Sequence, residues 1–531
     1  MQTTLSATED GLLFHDARSC KRWLSALALT NAQLAHREIS AQLAKQQEAQ
    51  LSGLERLKIL ELLREPVAFV QDQYRKIWAG KAFPLTNAEQ SQWADALVLW
   101  RLMSGAYRRC LKAFDDGNRE IAEHAPLICQ RCLYYLVRQA AEIHSVYRQV
   151  DAAFWQDLHE LYEYAEEQGF ATRKVRDKLD RDDQTSTCSA RYAHALLADL
   201  ANPYGLNQKQ TALLDRWLDR WSKKVRLVAA YGDDDEDHKL AVDIAGRSGA
   251  QHIGIAPSGR SLRYLSVKSL SKSVRKRIAL MREGHSPAEL DLGDDGAEQT
   301  IAALLTMLHN QWCGSGHTRS FPRRETSDQA EVCTGIAAIH YYVGERIFAP
   351  PDHPRGYSVQ EHHDLQVFGH IRGQTIEAQA AQLGFACERW RLFNESAAGY
   401  GLFRNEDSAM RIAHDQLIAV RSAGVGAFAI GAVQWLRHDS AMQLHLGVRI
   451  LAGAPLAVAI RADGAGHRFT QALLLAEIPT MHTPASLLLP LGMMASGQTL
   501  ELYTGRSMRV RLGAVLEKGS DFERITLEVI A

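Results

Sequence analysis

The chain has 531 residues, 46% hydrophobic and 23% charged, enough to bury ordinary cores and too long for one domain, so three or four domains are expected. Lys+Arg 61 against Asp+Glu 62 leaves a net charge of −1, which excludes the global basic field that drives non-specific binding to nucleic-acid polymers. Any polyanion must be met by a local patch.

The opening stretch MQTTLSATEDGLLFHD has no positive region followed by an apolar core and does not read as a signal peptide. The best candidate for a membrane span, residues 472–495, is interrupted by Glu477, Pro479, His482, Pro484 and Pro490, so it reads as strands and turns and no span is expected. Eight cysteines, sparse and irregularly spaced, fit a reducing compartment, and the expected location is the cytoplasm.

From Gln33 to about Lys224 the pattern is helical. Leu51, Leu54, Leu57, Leu60 and Leu63 recur at three-residue spacing among Glu55, Arg56, Lys58 and Glu61, giving one apolar stripe. Residues 92–113, 127–150 and 154–168 continue in kind, and Asn202-Pro203-Tyr204-Gly205 breaks the series before a helix around Leu213, Trp217 and Trp221. No fixed repeat is visible, so an all-α helical domain is expected over residues 1–223.

Composition then shifts. Residues 225–229 and 240–244 read as two strands joined by the acidic run 232–237, a solvated hairpin loop that lacks the alternating ligand spacing of a calcium loop. A strand at residues 263–267 leads into a basic helix through Lys272, Arg275, Lys276 and Arg277, and residues 301–312 are helical again. Residues 224–312 are therefore expected to form a small mixed α/β unit.

Beyond Glu331 the character is β. Runs at 332–343, 390–393, 400–403, 417–421, 428–436 and 444–451, separated by turn signals, suggest six strands closing into an antiparallel barrel over residues 313–460. Residues 348–387, with Pro350-Pro351 and a helix-like 376–383, read as an insertion on that barrel. Further strand-like runs carry the β region through residues 461–531. The whole is a multidomain α+β chain.

Two stretches of the barrel region carry chemistry. Arg319 and Arg323, four apart in a Gly/Ser/Pro-containing lead-in, offer two guanidinium forks suited to phosphates and to the O6/N7 edge of guanine, with Arg324 adjacent. Asn394, Ser396 and Gly399 form an Asn-x-Ser-x-x-Gly turn: a carboxamide that donates and accepts, an adaptable hydroxyl, and a glycine expected to take a backbone angle other residues resist. Together the halves suit a guanine nucleotide with phosphate.

The Arg-x-x-x-Arg lead-in, the Asn-x-Ser-x-x-Gly turn and the strand phrases at 430–436 and 446–448 resemble the PilZ-domain family of small β-barrels that bind the bacterial second messenger cyclic di-GMP. The resemblance implies that Arg319 and Arg323 clamp phosphates and guanine faces while Asn394 and Ser396 contact the same ligand from the barrel wall. It also implies a non-catalytic receptor with no cofactor, acting on a protein partner through the helical domain or the insertion, in motility, attachment or type IV pilus control. A PilZ-like scaffold that no longer binds nucleotide is the alternative. The insertion departs from the family pattern by standing between the two halves of the site.

Other groups read as structural. Glu361, His362, His363, Asp364 and His370 lack a zinc spacing and read as polar loop residues rather than the core of a metal enzyme. Cys129 and Cys132 lie in an apolar helical run and read as buried cysteines, His159-Glu160 lacks a second histidine, and Gly424-Val425-Gly426 reads as a hairpin turn.

Overall fold

The computed structural model describes residues 11–229, 240–253, 259–294, 296–314, 322–404, 410–464 and 468–530, and divides into two compact units: residues 1–81 with 85–318, and residues 82–84 with 319–531.

The first unit is built from helices α1 (Ala17–Ala26), α2 (Ala32–Glu48), α3 (Gly53–Arg75), α4 (Asn87–Asp115), α5 (Ala125–His144), α6 (Ala152–Glu167), α7 (Cys188–Leu200) and α8 (Gln208–Trp221). Local signals set their ends. Ser52 caps α3 by accepting from Glu55 N–H, and Thr86 and Glu89 form a reciprocal capping box on α4. The leucine stripe is realised on α3, where Leu57, Leu60 and Leu63 are buried. Helix α5 is buried on almost every side, Cys129 and Cys132 included, and is the centre of the bundle.

Charges are buried here too. The short strands β1 (Val175–Arg176) and β2 (Thr185–Ser186) flank a loop whose Asp177 accepts from Arg64 at 2.8 Å and Arg191 at 3.2 Å, with Arg131 at 3.5 Å. Arg191 also reaches Asp180 at 3.0 Å and Asp219 at 2.7 Å. Burial alone would raise the Asp177 carboxyl, but Arg64, Arg191 and Arg131 outweigh it and hold it well below the usual carboxylate range.

The rest of this unit is a four-stranded sheet of β3 (Arg226–Val228), β4 (Leu240–Asp243), β5 (Gln251–His252) and β6 (Leu262–Ser266), followed by α9 (Lys268–Arg282) and α10 (Glu298–Cys313). The sheet order β3-β6-β4-β5 corrects one expectation: β3 and β4 do not pair as a hairpin, because β6 lies between them. The acidic run 232–237 lies outside the described residues.

The second unit holds two barrels. The first comprises β8 (Gln329–Thr334), β9 (Cys387–Ser396), β10 (Gly399–Phe403), β11 (Leu417–Ser422), β12 (Ala429–His438) and β13 (Leu444–Ile450); the antiparallel order β10-β13-β12-β11-β8-β9 closes because β9 also pairs β10. The short strand β7 (Arg324–Glu325) adds to β9. Inside, Leu402 stands between its register partners Leu392 and Leu446, and Val332 opposite Val420, all buried. Gly424-Val425-Gly426 turns β11 into β12.

The second barrel is β14 (Pro455–Ala462), β15 (Thr470–Leu475), β16 (Ser486–Pro490), β17 (Thr499–Tyr503), β18 (Ser507–Lys518) and β19 (Phe522–Val529), closed in the order β14-β15-β16-β19-β18-β17. The run 332–343, expected as one strand, splits instead. Gly335, at φ 83°, ends β8 and starts helix α11 (Ile336–Gly344), which packs between the barrels with Ile339, Tyr341 and Tyr342 against Leu473 and Leu488. Because α11 is covered on several sides its residues are apolar without period, which a strand would share.

The insertion carries α12 (Val359–Phe368) and α13 (Gly373–Gln382). Here a second expectation is corrected: Glu361, His362, His363 and Asp364 sit on a helix, not a loop, because Ser358 and Glu361 form a capping box. The two acids face inward and are used up locally, Asp364 accepting from Arg372 Nε at 2.9 Å and from Thr375 Oγ1.

Candidate ligand-binding face of the first barrel

The insertion does not keep the two expected halves apart. It enters β9 at Cys387, and Asn394 lies seven residues further along the strand, roughly 23 Å at about 3.3 Å per residue. At that far end β7 pairs β9, with Arg324 opposite Glu395 and Glu325 opposite Asn394, while Thr326 N–H donates to Phe393 O at 3.2 Å.

Side chains alternate across a strand, so neighbours in β7 serve opposite faces. Arg324 and Glu395 form an ion pair, with the arginine side chain 73% exposed and the carboxylate 24%. Next in register stands Tyr400 of β10, whose hydroxyl is held above its ordinary pKa by burial first and by the Glu395 charge second. Arg324 thus fastens the lead-in to the barrel on the face away from Asn394. Arg323 immediately precedes β7 and is exposed. Arg319 lies outside the described residues.

Asn394 and Phe393 point over Gly401, the register partner of Asn394 on β10; a β-carbon there would come within 2.6 Å of Asn394 Oδ1 and 2.7 Å of Phe393 Cζ. A bulge between Gly401 and Leu402 lets both side chains share that face. Gly401 in turn pairs Gly447 of β13, over which the Trp435 indole of β12 lies so closely that any β-carbon would collide with it. The outer surface therefore runs from Glu325 to Asn394, across a floor of two paired glycines, to Trp435. Beside this row Phe403 stacks on His445 at 5.3 Å, and Asp439 holds His445 Nε2 at 3.1 Å.

Ser396 and Gly399 close the β9–β10 turn. The Ser396 hydroxyl accepts from Ala398 N–H at 3.3 Å and donates to Gly399 O at 3.4 Å, so it shapes the turn. Gly399 is not in the left-handed region, which corrects the expected reason for the glycine: a β-carbon there would run into Val448 O, so a side chain has no room.

Chemically, this face combines the exposed Arg323 of the lead-in, a carboxamide, a carboxylate and an indole around two paired glycines. That set suits a flat, polar, anionic ligand. Glycines alternating on a strand, Gly399-Tyr400-Gly401, were the available signal of a close approach; Glu325, Gly401, Gly447 and Trp435 were not expected as site residues.

A small closed barrel with such a face, preceded by a helical region, defines the class, and comparison with known proteins agrees with it. Three family models match in order: the N-terminal domain of the cyclic-di-GMP receptor FimW over residues 18–231, its middle PilZ domain over 255–351, and its C-terminal β-barrel domain over 456–530. The three matches together fit a PilZ-family chain fused to a large N-terminal helical region. The chain is 22% identical over 542 aligned residues to the cyclic-di-GMP receptor FimW of Pseudomonas aeruginosa, covering 91% of this chain and 86% of that protein. The middle match ends at residue 351 and so includes the lead-in and β8 but not the Asn394 turn.

Proposed function

We propose that the chain is a non-catalytic receptor for cyclic di-GMP, which binds on the outer face of the first barrel and whose binding is passed to a protein partner. The observation that carries this reading is the β7–β9 pairing, which joins the arginine lead-in to the Asn394 turn. The similarity to a protein named as a cyclic-di-GMP receptor supports it from a separate direction.

Cyclic di-GMP brings two phosphate charges and two guanines. Arg323, with Arg319, meets the phosphates or the O6/N7 edge of guanine, Asn394 contacts a base or ribose, and Trp435 offers a stacking surface. A micromolar complex needs about 8 kcal/mol, and a few charge-assisted hydrogen bonds of roughly 1.5 to 3 kcal/mol each, with stacking, supply it after the cost of association. Ser396, Gly399 and Arg324 hold the frame on which these groups stand.

Ligand binding at this face would be read by the partner through the helical unit or the insertion, in motility, attachment or type IV pilus control. The cytoplasm is the proposed location. All eight cysteines are free thiols, which fits a reducing compartment, and among the described residues no helix is long and apolar enough to cross a membrane.

Calorimetric titration of the full chain with cyclic di-GMP tests the reading. Saturable binding at micromolar or lower ligand is expected; no heat and no thermal stabilisation at high micromolar ligand would leave a scaffold that does not bind the nucleotide.

A further inference from the structure

We infer that Glu325 reads the guanine base: its carboxylate accepts from the N1–H and N2–H donors of one guanine of the bound ligand, and so sets the preference for guanine over other purines. The inference rests on the cyclic di-GMP reading above. It comes from the register of β7, not from the arginine or asparagine motif.

Within the β7–β9 ladder the Thr326–Phe393 pair is hydrogen-bonded, so Glu325 and Asn394, one step along, form a non-hydrogen-bonded pair. In that arrangement α-carbons lie about 4.5 Å apart and side chains are closest. Glu325 is exposed, and it stands on the Asn394 face because Arg324 and Glu395 take the other. A negative charge is therefore set at the end of the row that leads across Gly401 and Gly447 to Trp435.

A bare carboxylate beside a dianionic ligand costs affinity by like-charge repulsion unless it meets donors. Guanine supplies two adjacent donors on its Watson–Crick edge, N1–H and the N2 amino group, which match the two oxygens of a carboxylate in a bidentate pair. Adenine presents an acceptor at N1, which opposes the carboxylate, and hypoxanthine lacks the second donor. The O6/N7 edge stays free for an arginine, so one base can be held on two edges.

The test is calorimetry on the full-length protein and its Glu325→Gln variant, with cyclic di-GMP, the hypoxanthine analogue cyclic di-IMP and cyclic di-AMP as probes. Replacing one acceptor oxygen by an amide donor is expected to weaken cyclic di-GMP at least tenfold, to affect cyclic di-IMP less, and to leave cyclic di-AMP unchanged or tighter. Equal or tighter cyclic di-GMP binding by Glu325→Gln, in a wild type that binds it, would overturn the inference and leave the receptor reading intact. A wild type that binds none of the three would defeat the receptor reading and this inference together.

Discussion

The arginines at the core of the helical unit and the arginine that leads into the first barrel are placed in opposite ways. In the helical unit Arg64, Arg131 and Arg191 are buried and consumed by Asp177, Asp180, Asp219 and Glu61. In the barrel unit Arg323 is left exposed beside a turn and a glycine floor. Buried charges that are fully paired hold an arrangement in place, and removing one partner strands the others; exposed arginines on a rigid frame remain available for a ligand. On the proposed reading, the helical unit's buried charges serve folding and Arg323 serves binding.

The largest effect is expected where pairing is most complete. Asp177→Asn leaves three buried guanidinium groups short of a carboxylate and should cost about 3 to 5 kcal/mol of stability in denaturant unfolding, with cyclic di-GMP affinity unchanged under native conditions. Arg323→Ala should do the reverse, costing about 2 to 5 kcal/mol of ligand binding by calorimetry with the unfolding midpoint unmoved. Should either substitution move both quantities, the division of labour fails.

Acid should act on both units alike. Burial lowers His144 in the helical unit and His340 in the barrel unit to about 4, His340 also through Arg346. A histidine whose folded pKa is depressed takes its proton first in the unfolded chain. Stability is therefore level above about pH 6.5 and falls between there and pH 4, by up to roughly 3 kcal/mol per residue. His340→Gln should flatten that slope for the barrel unit in unfolding measured across this range.

Smaller effects follow on the binding face. Gly401→Val places a branched β-carbon against Asn394 Oδ1 and Phe393 and should lower stability by about 1 to 3 kcal/mol, with ligand affinity falling at least tenfold in the fraction that folds. Cys129→Ala, deep in α5, should leave affinity unchanged by the same titration.

Much of this was legible in the chain. Helical stripes and six short β runs carry their periods openly, and the barrel follows from them. Residues 336–343 did not, because a helix covered on several sides loses its polar face. The Asp177 network escaped since its acids sit in a loop, outside any periodic stripe. Arg323 and Asn394 were visible as residue types, but which neighbour shares their face depends on register: the two-residue strand β7 turns Arg324 away and brings Glu325 forward, and no local pattern encodes that.

Hydrogen exchange of the full chain with and without cyclic di-GMP tests the central claim most directly. Ligand protection is expected of amides at 323–326 and 394–401 and around Trp435 and Gly447, with the helices about Asp177 and the second barrel unchanged. Binding with protection elsewhere, and none along β7 and the Asn394 turn, would contradict it.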